Sequence, residues 1–415
     1  MSGFMKTLVA AAILTTFVAG DVAWGQSYEV PTNRRASEIL SPAMVKGPYH
    51  EVDETVVTYG FLYHYSVKST YGSFEVTGDA ALRKLLREIG AIHALKQIST
   101  ADAIGKSVVH AAKAPFELAG KLIKNPVDTI SAIPSGVFQV FENIGKGISE
   151  ERDPSEDARI KQILFVSSWK RDFADKVGVD VYSSNKVLQK ELNRVGWAAA
   201  LTGLAVGMVS GQADAVAVTA ARTMRFSNQI GNAIKEEPPA RLRLINEEKL
   251  KAMKVPEAVS AAFLDHPSFT PRHDTIIVEA LRQVSSARGR GAFLQAAMIA
   301  ADEASANFYQ QMAETLRAYG EKVSPITEIR NASGFILATA KNGRVVVPFA
   351  LDHGIWSRRG DRATRFMIDQ SRSYGWKGGI DLLVTGTLSA MAKQQLTSRG
   401  FTVQENVDET LGLID

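Results

Sequence analysis

Apolar residues recur at helical spacing through most of the chain. Leu82, Leu85, Leu86, Ile89 and Ile92 mark an amphipathic helix over Asp79 to Gln97. Ala101 to Lys124 predicts a second, broken near Pro115, and Val137, Val140, Phe141 and Ile144 mark a shorter segment. Asp153 and Pro154 make a helix start after the charged stretch that begins at Ile148, and Ile160, Ile163 and Leu164 lead towards a stop at Gly178. Ser183 or Ser184 opens the next helix, with Leu188, Leu192 and Val195 on one face. Thr270 caps another, with Pro271 at its first position and Ile276, Ile277, Ala280, Leu281 and Val284 buried. Ala297, Ala301, Phe308, Met312, Leu316 and Tyr319 predict a single spine over Ala292 to Tyr319, ~42 Å long at the helical rise. Glu303 and Glu314 fall among its polar positions.

Strand patterns occupy the two ends of the chain. Glu54 to Gly78 is rich in Val, Tyr, Phe and Thr around a turn at Ser69-Thr70-Tyr71-Gly72, which predicts a β-hairpin. Phe335 to Ala340 and Arg344 to Ala350 flank Lys341-Asn342-Gly343, and Asn-Gly is a strong hairpin signal. Ile326 to Arg330 adds a third strand, and Asp361 to Ser373 reads as a helix. Ile380 to Thr385, a helix from Ser389 to Arg399, and Phe401 to Val407 form a strand-helix-strand unit, which implies a parallel pair. The expected fold is mainly α with an N-terminal β-hairpin, a large helical body and a small C-terminal α/β domain. The expected divisions are a signal peptide at 1–25 and an extended arm at 26–53. The hairpin and amphipathic helices follow at 54–150, the helical body at 151–320, and the α/β domain at 325–415.

The helical body is organised, on this reading, around a helix at 184–221. It is charge-free from Val195 to Ala213, and Ala199, Gly203, Gly207 and Gly211 lie four apart, a ridge of small residues along one helix face. Each interior glycine costs a helix about 1 kcal/mol relative to alanine, so a close-packed neighbour is expected to offset it. A buried core helix meets that condition. A membrane-inserting helix is the alternative, although the run only just reaches a spanning length of about 20 residues and strongly apolar residues are few.

Composition narrows the compartment. In the 415 residues, Lys and Arg exceed Asp and Glu by four, too little to imply nucleic acid, and there is no cysteine, which excludes disulfides and thiol chemistry. Met1 to Lys6, the apolar Thr7 to Gly20 and Ala23-Trp24-Gly25 have the form of a secretory signal cut after Gly25. A cysteine-free exported chain fits a bacterial periplasm or cell envelope. Lys106, Lys113, Lys121 and Lys124 form a basic stripe that reads as a solvated face or as a contact with anionic lipid.

Candidate chemistry is sparse. Asp352 and His353 follow a strand end, where α/β proteins build their sites, and are the acid–base candidates. Arg358, Arg359, Arg362 and Arg365, with Trp356 beside them, form the densest basic patch and the expected contact surface. His266 and His273, near Asp265 and Asp274, match no metal-ligand spacing, and Thr385-Gly386-Thr387 reads as a helix start before an anion cradle. No Walker A, Rossmann or Gly-x-Ser-x-Gly pattern occurs, and no cofactor is expected. These residues predict an exported envelope protein with a non-enzymatic binding or scaffolding role, its partner an envelope protein or an anionic surface. Two alternatives stand beside it. One is membrane association through 195–213 and the 106–124 stripe. The other is an enzyme with its site in the C-terminal α/β domain.

Overall fold

Strand residues alternate sharply near the N-terminus, and that alternation builds a sheet rather than a hairpin. In this computed structural model, which describes residues 28–97, 167–202 and 230–411, the chain opens with β1 (Arg34–Arg35), α1 (Ala36–Ile39), α2 (Pro42–Val45), β2 (Lys46–Gly47) and β3 (His50–Val52). β4 (Thr55–Tyr59), β5 (Leu62–Ser69) and β6 (Gly72–Thr77) follow. β5 is the long central strand. It pairs antiparallel with β4 through Leu62 to His64, with β3 through Val67 to Ser69, and with β6 along its other edge. Tyr63, Tyr65 and Val67 point inward with period two and pack against Leu82, Leu85 and Ile89 of α3 (Asp79–Gln97).

The expectation of a mainly α chain with one N-terminal hairpin is therefore corrected. The described residues form a mixed α/β fold with three sheets, and the first has six strands. Its extra strands come from the segment read as an extended arm. They are two or three residues long, too short to show periodicity: β1 is held by pairing with β4, β3 by pairing with β5, and β2 by pairing with β3.

Residues 167–176 and 230–236 are helical, as is α4 (Lys186–Thr202). Asn185 starts α4, accepting the amides of Val187 and Leu188, while Ser183 instead donates to Glu88 at 2.6 Å. α5 (Pro239–Ala252), α6 (Glu257–Leu264) and α7 (Pro271–Gln283) come next, and Thr270 and His273 close a reciprocal capping box on α7. The expected long spine is two helices, α8 (Arg290–Ala297) and α9 (Glu303–Lys322). Asp302 breaks it by accepting the Ser305 amide at 2.8 Å, a new N-cap inside the apolar pattern. Glu314, expected on a polar face, is fully buried.

The C-terminal sheet runs β7 (Ile326–Ala332), β8 (Phe335–Ala340), β9 (Val345–Phe349), then β11 (Ile380–Val384) and β13 (Phe401–Gln404) in spatial order. Between these lie β10 (His353–Gly354), α10 (Arg358–Ser373), β12 (Thr387–Leu388) and α11 (Ala390–Ser398), and α12 (Val407–Leu411) ends the described chain. β7, β8 and β9 are antiparallel, whereas β9, β11 and β13 are parallel, as the strand-helix-strand pattern predicts. Alternation divides the sheet between two cores. Ile336, Ala338, Val346 and Leu383 join the helical core with α7 and α9. Leu337, Val345, Val347, Leu382 and Val384 face Met367 of α10 and Leu396 of α11. The sheet is thus the middle layer of three, and it shares one core with the helices that precede it.

Candidate functional site

Parallel strands bring their C-terminal ends to one edge, and the loops leaving β9, β11 and β13 meet there. Asp352 and His353 follow β9, Thr385-Gly386-Thr387 follow β11, and Asn406 follows β13. The N-terminus of α3 and Tyr63 of β5 close the opposite side. The open cleft between them measures about 370 Å³ and is lined by Asp79, Asp352, His353, Thr387, Asn307 and Gln311, with Phe308 and Tyr63 as its aromatic wall.

Asp352 is fixed from both directions. Its Oδ2 accepts the Tyr63 amide at 2.8 Å and its Oδ1 accepts the Asp79 amide at 3.0 Å. A carboxylate here sits at the positive end of α3, where orphan amides need an acceptor. The Asp352 amide donates to Phe61 O and its carbonyl accepts from Thr387 N, both at 3.0 Å. This close approach requires glycine at 386, because a Cβ there would lie 2.1 Å from Asp352 O. Thr385 Oγ1 bonds both the amide and the carbonyl of Leu351, so the two loops are locked together.

The electrostatics are those of a confined acidic pair. Tyr65 donates its hydroxyl to Asp79 Oδ1 at 2.5 Å. Burial raises the pKa of the Asp352 carboxyl to about 7, and the negative charge of Asp79 adds to the rise, while the two backbone amides oppose it. Burial also raises Asp79, against the Tyr65 hydrogen bond and the charge of Arg83. Arg83 in turn lies 3.3 Å from Asp408. His353 turns away from this pair: its Nδ1 meets Thr387 Oγ1 at 2.9 Å and its ring stacks on Tyr63. Burial, then the Arg34 charge, lowers its pKa.

Asp352 and His353 thus share one cleft but have separate partners, and Asp352 is as much a clamp on the N-terminal sheet as an acid. Asp79, Tyr65, Asn307 and Gln311 lie far from them in sequence. Only Gly78-Asp79 at a helix start was a local hint of the acidic partner. Of the basic patch, Arg358, Arg359, Arg362 and Arg365 are exposed. Arg365 pairs with buried Asp361 at 2.8 Å, and Arg399 pairs with the same carboxylate. Trp356 is 2% exposed and belongs to the core, with the Arg399 guanidinium 4.6 Å from its ring centroid, so its side chain is not on the contact surface. Ala199 is buried in the helical core beside Val195. Gly203, Gly207 and Gly211, the 106–124 stripe and the signal segment lie outside the described residues. His273 bonds Thr270 and, through Nε2, Asn307 at 2.9 Å, a helix-capping position that does not line the cleft. Among the described residues no helix is long and apolar enough to cross a membrane. Comparison with protein-family models, curated proteins and solved structures gives no match.

Proposed function

We propose that the protein is an exported binding protein, and that its ligand is a small polar molecule held in the cleft at the ends of β9 and β11. The observation that supports this most is the convergence of polar side chains on one open cleft of about 370 Å³, from the N-terminal sheet, α3, α9 and two strand ends. Asp79, Asp352, Asp408 and Glu409 outnumber Arg34 and Arg83 around it, so the ligand is one that brings hydroxyl or amine donors. Export rests on the N-terminal sequence. The exposed Arg358, Arg359 and Arg362 supply a separate surface for an anionic partner in the envelope.

A thermal-shift screen of polyols, sugars, amino acids and small amines at millimolar concentration tests the reading. A ligand present at 100 times its dissociation constant stabilises by about 2.7 kcal/mol. The expected hit raises the melting temperature of the native chain and not of a Gln311→Ala variant. Hits insensitive to that change, or none, would count against the cleft. The Thr387–His353 contact favours a second reading, an acid–base enzyme with His353 activating the threonine hydroxyl. It requires ester or amide turnover that His353→Gln abolishes.

A further inference from the structure

A second cavity, of about 250 Å³, shares a wall with the cleft: Ala80, Asn307 and Gln311 line both. Its lining has the opposite charge balance. It carries five cationic side chains, Lys84 and Arg87 of α3, Arg171, Lys235, and Arg272 of α7, against three carboxylates. None of the five lines the cleft. The carboxylates are already engaged. Asp175 holds Lys235 at 2.8 Å, and Asp180 Oδ2 lies 3.6 Å from Lys84 Nζ. Glu88 accepts from Ser183 at 2.6 Å and from Asn185 at 2.9 Å.

Arg171 stands apart from these pairs. It lies on the helical segment 167–176 and is only 8% exposed. Its Nε donates to Lys235 O at 2.8 Å and its Nη1 to Ser167 Oγ at 2.9 Å, while Nη2 donates to no described residue. Those two neutral oxygens orient the guanidinium without neutralising it, and among the described residues no carboxylate pairs with it. A guanidinium cannot shed its proton in a protein, so burial does not turn this group neutral. Taking a charge out of water is unfavourable unless an opposite charge accompanies it. A buried, oriented cation with an unused edge, beside a cavity where cations outnumber acids, calls for an anion.

The cations reach the cavity from α3, α7 and the helical segments 167–176 and 230–236. A carboxylate offers two oxygens in one plane, whereas a phosphate group offers three or more in different directions and carries up to two charges. The volume equals roughly eight waters at about 30 Å³ each, room for a phosphate and a short carbon chain. We propose that this cavity binds a small phosphate compound, free phosphate or a short monoester, with Arg171 as the anchor and the exposed Lys235 as a second contact. This goes beyond the cleft reading and stands without it.

Isothermal titration calorimetry of the full chain with inorganic phosphate, glycerol phosphate and succinate, at constant ionic strength, tests the proposal. Saturable binding of a phosphate compound is expected, tighter than that of succinate. Arg171→Gln should weaken it about tenfold or more, the worth of one charge-assisted hydrogen bond. Lys235→Ala changes only an exposed side chain and should weaken it about threefold, so it decides the matter even where Arg171→Gln does not fold. Arg241→Ala, at an exposed position of α5 outside the cavity lining, should bind like the native chain. Glycerol phosphate binding tighter than inorganic phosphate would support a monoester ligand, and the reverse order free phosphate. No saturable phosphate binding, native affinity in Lys235→Ala or in a folded Arg171→Gln, an equal loss in Arg241→Ala, or succinate binding tighter than both phosphates would each overturn the proposal.

Discussion

Replacing Asp352 with asparagine should change the pH dependence of stability more than stability itself. The fold raises this carboxyl from its ordinary 3.8 to about 7. A carboxyl raised by folding binds its proton more tightly in the native chain than in the unfolded one. Its contribution is therefore complete below about pH 4 and is lost as pH rises through about 7. At about 1.4 kcal/mol per pKa unit, the loss across that window is roughly 4 kcal/mol. Asp79 and Arg83 on α3, and Tyr63 and Tyr65 on β5, face the group, and Asp79 moves in the same direction. In Asp352→Asn the titration is gone, and the amide nitrogen cannot accept one of the two backbone N–H groups that the carboxylate holds. That leaves a buried donor unmade, worth about 1–3 kcal/mol. Urea unfolding between pH 4.5 and 8 should find the variant less stable at the acid end. The two chains should converge or cross by the alkaline end. Asp79→Asn should shift the native transition to lower pH, because it removes the second largest cause of the rise. Parallel curves for the native chain and Asp352→Asn would refute the account.

Trp356→Ala should cost about 3–5 kcal/mol, the range for deleting a buried aromatic, and should lower the melting temperature whatever it does to binding. Charge reversal at Arg358, Arg359 and Arg362 together should leave the circular dichroism melt within a degree or two while abolishing retention on anionic vesicles or on an envelope partner in a pulldown. Gly386→Ala places a Cβ 2.1 Å from Asp352 O, so the loop must move, at about 1–3 kcal/mol. The same variant should weaken any ligand of the cleft, measured by the screen that identifies it.

How legible the fold was depended on element length. α3, the capped α7 and the β8–β9 hairpin were plain from period and turn chemistry, because each satisfies its own hydrogen bonds locally. β1, β2 and β3 were hidden, since a strand of two or three residues has no period and exists only through the partner it pairs with. The break between α8 and α9 was readable in principle: Asp302 with Ser305 is a cap, but an uninterrupted apolar stripe concealed it. The site was half legible. Strand ends pointed to Asp352 and His353. Asp79 and Tyr65 reach them only through the third dimension, across 273 residues in the case of the Asp79 amide. Trp356 misled because a tryptophan beside arginines reads alike whether it stacks in the core or waits on the surface.

The bond from Tyr63 to Asp352 spans 289 residues, and its length in sequence has a consequence for assembly. Closing a loop of that size carries an entropic cost of about 5 kcal/mol beyond the constant term. The N-terminal sheet and α3 can pair early, since β4, β5 and β6 are neighbours in the chain. Their attachment to the parallel strands waits until β9 has been made and packed. Until then Tyr63 and the first amides of α3 have only water as acceptor. The N-terminal sheet is thus pinned at Tyr63 by a residue late in the chain, while Ser183 and Asn185 hold α3 through Glu88 from segments made earlier.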